Sequence, residues 1–190
     1  MTEHNATEKN TFGFWIYLMT DLLMFATLFA TFVALRNNIA SGPTGKELFN
    51  LNFVLIETLI LLTSSFTCGL TILSAHQKNK TQTIVWLYVT ILLGLAFLAL
   101  ELSEFINLYQ EGHSWKQSAF LSSYFTLVGT HGLHIVSGLF WAIILVIKLV
   151  RTGLVESVKR KLILFSLFWH FLDIVWIFIF TIVYLIGAVQ

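Results

Sequence analysis

Three pairs of ionisable residues stand three positions apart in stretches that are otherwise apolar. The pairs are Glu101 with Glu104, His131 with His134, and His170 with Asp173. On a helix, residues three apart lie on one face, so each pair presents two polar groups to a neighbouring helix. Carboxylates and imidazoles at this spacing build di-iron and zinc sites in helix bundles, and buried carboxylates also serve proton transfer. The chemistry open to them is therefore metal binding, proton transfer or hydrogen bonding between helices.

The composition places these groups in a membrane protein. Hydrophobic residues make up 57% of the chain and charged residues 11%, with a mean hydropathy of +0.82, far from the balance of soluble domains. A formal net charge of +1 with scattered basic residues gives no basic surface for nucleic acid. Cys68 is the only cysteine, so neither an internal disulfide nor a cysteine metal cluster can form.

Five apolar segments are each long enough to cross a bilayer as a helix, which takes about 20 residues. They cover approximately residues 14–35, 52–75, 84–108, 119–147 and 162–188. Backbone polar groups in lipid must be satisfied within the segment, and the segments lack the alternation of barrel strands. We therefore predict an all-α fold, a bundle of five transmembrane helices in a single membrane domain over residues 1–190, with a polar cytoplasmic tail at residues 1–13.

Basic residues in the loops predict the orientation. With five crossings, one side holds eight of the eleven basic residues: Lys9, Lys78, Lys80, Lys148, Arg151, Lys159, Arg160 and Lys161. The other side holds Arg36, Lys46 and Lys116. The positive-inside rule then places the N-terminus in the cytoplasm and the C-terminus outside.

Eight ionisable residues fall inside the predicted spans and are the candidate site residues. They are Asp21, Glu57, Glu101, Glu104, His131, His134, His170 and Asp173. Such groups are costly in lipid and by default face the bundle interior. A metal site is disfavoured, because the glutamates and histidines are predicted at different depths and the repeated Glu-x-x-His element of di-iron bundles is missing. We expect no metal ligands and no catalytic residues in this chain.

Packing alone is an alternative role for the two histidines. Small and hydroxylated residues form a stripe at spacings of three and four along the fourth segment: Ser123, Thr126, Thr130, His134 and Ser137. Membrane helices use such residues to approach closely and to hydrogen-bond across the contact. Trp and Tyr near several span ends indicate interfacial anchoring; they are Trp15, Tyr17, Trp86, Tyr109, Trp115 and Tyr184.

Four stretches together resemble one family. "GFWIYLMTDLLMFATLFATF", "LELSEF", "GTHGLHIVSG" and "LFWHFLDIVWIFIFTIVYL" resemble, in this order, the helices of subunit III of the haem-copper terminal oxidases. The resemblance extends over nearly all of the chain from Gly13 onward. The chain is similar to the shorter form with five crossings, and looks closest to the cytochrome o type ubiquinol oxidases of bacteria.

The resemblance implies an accessory, cofactor-free subunit of a proton-pumping quinol oxidase in the bacterial inner membrane. Haem and copper would lie in partner subunits, chiefly the catalytic subunit I, and phospholipid would bind in a cleft of this subunit. Asp21 occupies the position of a buried acid characteristic of the family, where many relatives carry glutamate. Glu104, His131, His134, His170 and Asp173 match further elements of the family pattern.

Two other functions stay open at this point. One is subunit III of a cytochrome c oxidase, because the electron donor is decided by other subunits. The other is a stand-alone proton-coupled transporter, which would also use buried carboxylates. Transporters usually carry Gly- or Pro-broken helices in matched halves, whereas no span here contains proline and five spans do not divide equally.

Overall fold

The computed structural model describes residues 3–36, 51–110 and 118–189, and within these ranges the chain is almost entirely helical. The long helices are α1 (Glu3–Leu35), α2 (Leu51–His76), α3 (Lys80–Gln110), α4 (Ala119–Thr152) and α5 (Glu156–Ile179). A π-helical turn, Phe180–Leu185, and a short α6, Ile186–Val189, continue α5. Five helical stretches in the described residues are long and apolar enough to cross a membrane. The predicted all-α membrane fold is confirmed.

Several helices extend beyond the apolar segments that predicted them. Helix α1 begins at Glu3, so the polar residues expected to form a tail continue the helix, while the apolar stretch begins only at Thr11. Helix α3 begins at Lys80 and α4 ends at Thr152, each several residues outside its apolar segment. Apolar residues mark the part of a helix that can lie in lipid, but backbone hydrogen bonds continue until a turn signal ends them.

Those turn signals are visible at the helix ends. Asn79 caps α3, because its side-chain oxygen accepts a hydrogen bond from the Gln82 backbone N–H at 3.2 Å. Ser118 caps α4 in the same way through the Leu121 N–H at 3.1 Å. Gly153 follows α4 with φ 74°, a conformation that glycine adopts without strain. The connections α2–α3 and α4–α5 are therefore tight, and the helices they join are antiparallel neighbours.

Helices α2, α3, α4 and α5 form a closed four-helix arrangement in which each packs against the next and α5 returns to α2. Helix α1 lies outside this ring and packs chiefly against α4 and, less extensively, against α5. The ring encloses the largest buried side chains, including Trp169, Trp176, Tyr124 and Tyr184. The candidate site residues are therefore positioned by α2 to α5, with α1 contributing only Asp21.

Trp169 occupies the centre of the ring. Its indole N–H donates to the Ser64 hydroxyl of α2 at 3.1 Å, and that hydroxyl donates to the Thr90 carbonyl of α3 at 3.2 Å. A Cβ added at Gly94 would lie 3.0 Å from the Trp169 ring, and one at Gly138 would lie 2.9 Å from it. Two glycines on facing helices thus provide the space that the indole fills, which is how small residues permit close helix packing in membranes.

Candidate functional site

Three carboxyl groups lie together at the end of the bundle where α2 begins and α3 ends. Glu57 comes from the first turns of α2, and Glu101 and Glu104 come from the last turns of α3. They are close enough to interact electrostatically. Glu57 is fully buried and Glu101 is 2% exposed. In the described part of the chain, the carboxyl oxygens of both residues have no hydrogen-bond partner. We call Glu57, Glu101 and Glu104 the carboxyl cluster.

Two tyrosines form a wall beside the carboxyl cluster. The Tyr184 hydroxyl donates to Glu104 Oε2 at 3.1 Å and lies 2.9 Å from the Tyr124 hydroxyl. Since a hydroxyl has one proton to donate, Tyr124 must be the donor to Tyr184. Tyr184 lies in the π-helical turn, where the Ile186 N–H bonds to the Thr181 carbonyl, five residues back.

The prediction that Tyr184 anchors the chain at the membrane interface is therefore wrong. Tyr184 is fully buried, and its position near the end of the last span gave no sign of a buried partner. The available signal was that α3 and α5 end on the same side of the bundle, which brings Tyr184 near Glu104, and this becomes visible only once the helices are paired. Of the other predicted anchors, Trp15, Tyr17 and Tyr109 are exposed and Trp86 is half-buried, while Trp115 lies outside the described residues.

His131 serves as a packing residue in this arrangement. It is fully buried, and its ring stacks on the Trp176 indole with centroids 5.3 Å apart. The Phe97 ring meets it edge-on at 6.1 Å. Neither imidazole nitrogen has a hydrogen-bond partner among the described residues. Through these two ring contacts, His131 of α4 joins α3 and α5.

His134 takes a different role and faces Asp21 of α1. Its Nδ1 lies 2.7 Å from the Thr130 carbonyl, which can only accept, so Nδ1 carries a proton. The other nitrogen, Nε2, lies 3.8 Å from Asp21 Oδ2. Asp21 is 8% exposed. With its proton on Nδ1, a neutral imidazole presents only a lone pair at Nε2. An attractive contact with Asp21 therefore needs a second proton, either on the carboxyl or on Nε2. This polar contact joins α1 to the ring of four helices formed by α2 to α5.

A double-mutant cycle tests this contact. Asp21→Leu and His134→Leu should each lower the free energy of unfolding by about 1–3 kcal/mol, because each removes one side of the polar contact between α1 and α4. The double variant should lose less than the sum, with a coupling energy of at least about 0.5 kcal/mol. The measurement is denaturant titration of the purified chain in mild detergent.

Asp21→Leu combined with Thr152→Ala is the matched control for this cycle. Thr152 is exposed at the end of α4, and its hydroxyl donates to the Lys148 carbonyl of its own helix at 2.8 Å. The control pair should be additive. Additivity of Asp21 and His134 as well would show that the contact contributes nothing to stability.

His170 and Asp173 meet Ser65 at the boundary between α5 and α2. The Ser65 hydroxyl lies 2.6 Å from His170 Nδ1, and the Asp173 carboxyl lies beside the same hydroxyl. In a nucleophilic triad, the carboxylate orients the histidine, which in turn activates the serine. Here the imidazole and the carboxyl both approach the serine. The geometry therefore favours a hydrogen-bonded helix contact over nucleophilic catalysis.

The hydroxyl groups of the α4 stripe, which were predicted to hydrogen-bond to other helices, bond within α4 instead. The hydroxyls of Ser123, Thr126, Thr130 and Ser137 donate to carbonyls three or four residues back on α4 itself. Hydrogen bonds between helices involve other side chains, for example Trp176 Nε1 with Thr58 Oγ1 at 3.1 Å and Thr67 Oγ1 with Thr90 Oγ1 at 2.9 Å. Spacing along one helix shows which residues share a face but not which helix that face contacts. For this reason the prediction that these hydroxyls bond to other helices failed.

The donor set does not assemble into a metal centre in the ranges that the structure describes. Over residues 3–36, 51–110 and 118–189, no group of three or more His, Cys, Asp or Glu side chains is placed to hold a metal ion. The eight candidate residues instead divide into the carboxyl cluster, the His131 stack, the Asp21–His134 contact and the Ser65–His170–Asp173 contact.

An apolar cleft of about 480 Å³ opens between α1 and α5. Its walls include Trp15, Met19 and Phe25 of α1 and Phe171 and Phe178 of α5, and His170 is the single titratable residue among the described residues that line it. A cavity with such walls offers a surface for hydrocarbon and almost no hydrogen-bonding partners.

Comparison with known proteins connects this arrangement to one family. A sequence model of the family described as cytochrome c oxidase subunit III matches residues 2–188. The cytochrome bo(3) ubiquinol oxidase subunit 3 of Pseudomonas aeruginosa is 52% identical over 185 residues, which cover 97% of this chain and 88% of that protein. The quinol oxidase subunit 3 of Bacillus spizizenii is 46% identical, covering 94% and 87%. The cytochrome c oxidase subunit 3 of Bacillus sp. strain PS3 is also 46% identical, covering 98% and 92%.

Proposed function

Because the chain belongs to the cytochrome c oxidase subunit III family, we propose that it is the accessory subunit III of a bacterial haem-copper quinol oxidase. It is a multi-pass membrane protein that works in a complex with other oxidase subunits. The observation that carries the proposal is identity of 52%, 46% and 44%, over nearly the whole chain, to proteins named cytochrome bo(3) ubiquinol oxidase subunit 3. The cytochrome c oxidase alternative is less favoured by these names.

The arrangement of the polar groups supports a structural role within that complex. His131, His134, His170 and Asp173 join helices of the same chain, and Asp21 joins α1 to the ring. Haem and copper are assigned to partner subunits, with the catalytic subunit I as the direct partner. This chain then supplies a rigid apolar surface that supports assembly and sustained turnover of its partner.

The apolar cleft supports binding of the acyl chains of a lipid. The described residues that line it are apolar apart from His170, so it suits acyl chains, whereas phosphate and other polar head groups need donors or cations. We assign the cleft to acyl chains of a phospholipid whose head group lies beyond the cleft.

The orientation proposed for the chain places the N-terminus in the cytoplasm. The basis is the excess of basic residues on the side that holds the α2–α3 and α4–α5 connections. The carboxyl cluster then lies toward the outer face of the membrane, and the tight connections at Asn79 and Gly153 face the cytoplasm.

Affinity purification of the tagged chain from its native membranes tests the function. We expect other oxidase subunits, haem absorption and quinol-dependent oxygen reduction to co-purify with it. Deleting the chain should leave the early rate of oxygen reduction largely intact and shorten the period over which activity lasts. An unchanged time course after deletion would contradict the role in sustained turnover.

The isolated chain provides the second arm of this experiment. Separated from its partners, it should retain neither haem nor copper, and stoichiometric haem in this fraction would overturn the assignment of redox centres to partner subunits. Reconstituted alone in vesicles, it should move neither protons nor solute. Proton movement without partners would favour the transporter alternative.

A further inference from the structure

The carboxyl cluster is not used by the proposed function, and its composition is unusual for a membrane interior. Salt bridges formed by the described residues do not include Glu57, Glu101 or Glu104. Helix α2 contributes Glu57, α3 contributes Glu101 and Glu104, α4 contributes Tyr124 and the π-helical turn contributes Tyr184. Among the residues that the structure describes, the ionisable groups that meet here are thus all acids.

Ionised carboxylates are energetically excluded from such a site. Removing one carboxylate from water without a partner costs several kcal/mol, and like charges at close range add repulsion. Neutral carboxylic acids avoid both penalties. A neutral acid still has an O–H donor and acceptor oxygens, and all of them need partners when buried.

Among the described residues, such a partner is present only for Glu104. Glu104 Oε2 accepts from Tyr184 at 3.1 Å. The two oxygens of Glu57 and the two oxygens of Glu101 are buried without a partner in the described residues. Buried waters typically make about three hydrogen bonds to polar groups of this kind.

We propose that Glu57, Glu101 and Glu104 form a buried site that binds one proton on each acid together with ordered water, with Tyr184 and Tyr124 as its hydrogen-bonding wall. Protons and water are the ligands of this site, and no other co-reactant is needed. The site is distinct from the Asp21–His134 contact, which lies between α1 and α4.

Two local features of the fold position the side chains of this site. Gly132 of α4 faces Glu101, and a Cβ there would lie 3.1 Å from Oε1 and 3.2 Å from Oε2. The missing side chain lets the carboxyl rest against the α4 backbone. The π-helical turn is the second feature, because it carries the Tyr184 that bonds to Glu104. Turns of this type are rare and occur often at functional sites.

Glu57 lies near the start of its helix. It follows Leu51, the first residue of α2, by six residues, which corresponds to about 9 Å along a helix. Along α2, Glu57 is thus fewer than two helical turns from this end of the helix. The site consists of residues of this chain only, so its protonation and hydration do not depend on whether the chain assembles with an oxidase.

Infrared absorption of the purified full chain in lipid nanodiscs tests the site. Glu57→Gln and Glu101→Gln should each remove one carbonyl-stretch band of a protonated carboxylic acid, and the bands should shift in D₂O. Tyr184→Phe should retain all the acid bands but shift one of them, because Glu104 loses a donated hydrogen bond. This third variant keeps every acid and therefore stays informative if a glutamine variant does not fold.

Glu156→Gln and Tyr88→Phe are the matched controls. The Glu156 side chain is 77% exposed and Tyr88 is 56% exposed, so neither should change an acid band. If Glu57→Gln and Glu101→Gln remove carboxylate bands instead, the acids are ionised and the proposal is wrong. A high-resolution structure should show water density within hydrogen-bonding distance of Glu57 and Glu101; an empty site or a bound metal ion would also overturn it.

Discussion

Replacing Trp176 by alanine is expected to lower the free energy of unfolding of the bundle by about 3–5 kcal/mol, the range for truncating a large buried aromatic side chain. The indole is fully buried. It meets the Phe97 ring edge-on at 4.7 Å, stacks on His131, and donates to Thr58 Oγ1 at 3.1 Å. Alanine removes all three contacts and leaves a cavity where α2, α3, α4 and α5 meet.

Denaturant titration of the chain in mild detergent measures this loss, and two further variants separate its causes. Trp176→Phe retains an aromatic ring but not the N–H, so it should lose only about 1–3 kcal/mol, the cost of leaving a buried partner unpaired. Ile177→Ala on the same helix removes a side chain that is 42% exposed and should have a much smaller effect. Equal losses for Trp176→Ala and Ile177→Ala would contradict the packing described here.

Gly138→Ala is expected to destabilise the bundle although alanine favours helix. The added Cβ would lie 2.9 Å from Trp169 Cζ3 and 3.2 Å from Phe168 Cε1. Trp169 cannot move away, because Gly94 faces its other edge and its N–H is bonded to Ser64. Overpacking of this kind costs about 1–3 kcal/mol, which exceeds the helix-propensity gain of up to about 1 kcal/mol.

Gly69→Ala is the matched control for this substitution. Gly69 also lies within a helix, α2, but no atom lies within 4 Å of the position of its added Cβ. This variant gains the helix propensity without the clash, so it should be neutral or stabilising. The same denaturant titration compares the two variants. A stability of Gly138→Ala at or above that of Gly69→Ala would show that Trp169 is not confined between the two glycines.

The fold could be predicted from the sequence because the bilayer restricts the choices so strongly. Five apolar stretches above the length of one crossing leave helix as the conformation that satisfies the backbone. The residues at which the helices begin and end were harder to predict. The apolar pattern stops where lipid stops, whereas α1 continues back to Glu3 and α4 continues to Thr152 until Gly153 ends it.

The candidate site could be predicted only in part. Burial of Glu57, Glu101 and His131 follows from the cost of exposing them to lipid. Their partners do not follow, because partner choice depends on how helices are rotated against one another. Spacing along α4 could not reveal that His134 meets Asp21 while His131 meets Trp176. The role of Tyr184 depended in addition on a π-helical turn, and no feature of the amino-acid pattern indicates such a turn.

The position of α1 has a consequence for biogenesis. Helix α1 packs chiefly against α4 and α5, which leave the ribosome last. It must therefore wait in the bilayer, with Asp21 not yet paired, until the final two crossings have been inserted. Closure of the bundle is then a late event with a long sequence separation between the contacting segments, which makes it slow relative to hairpin formation by α2 and α3. Substitutions on α1 should therefore delay maturation of newly made protein more than they disturb the four helices already folded together.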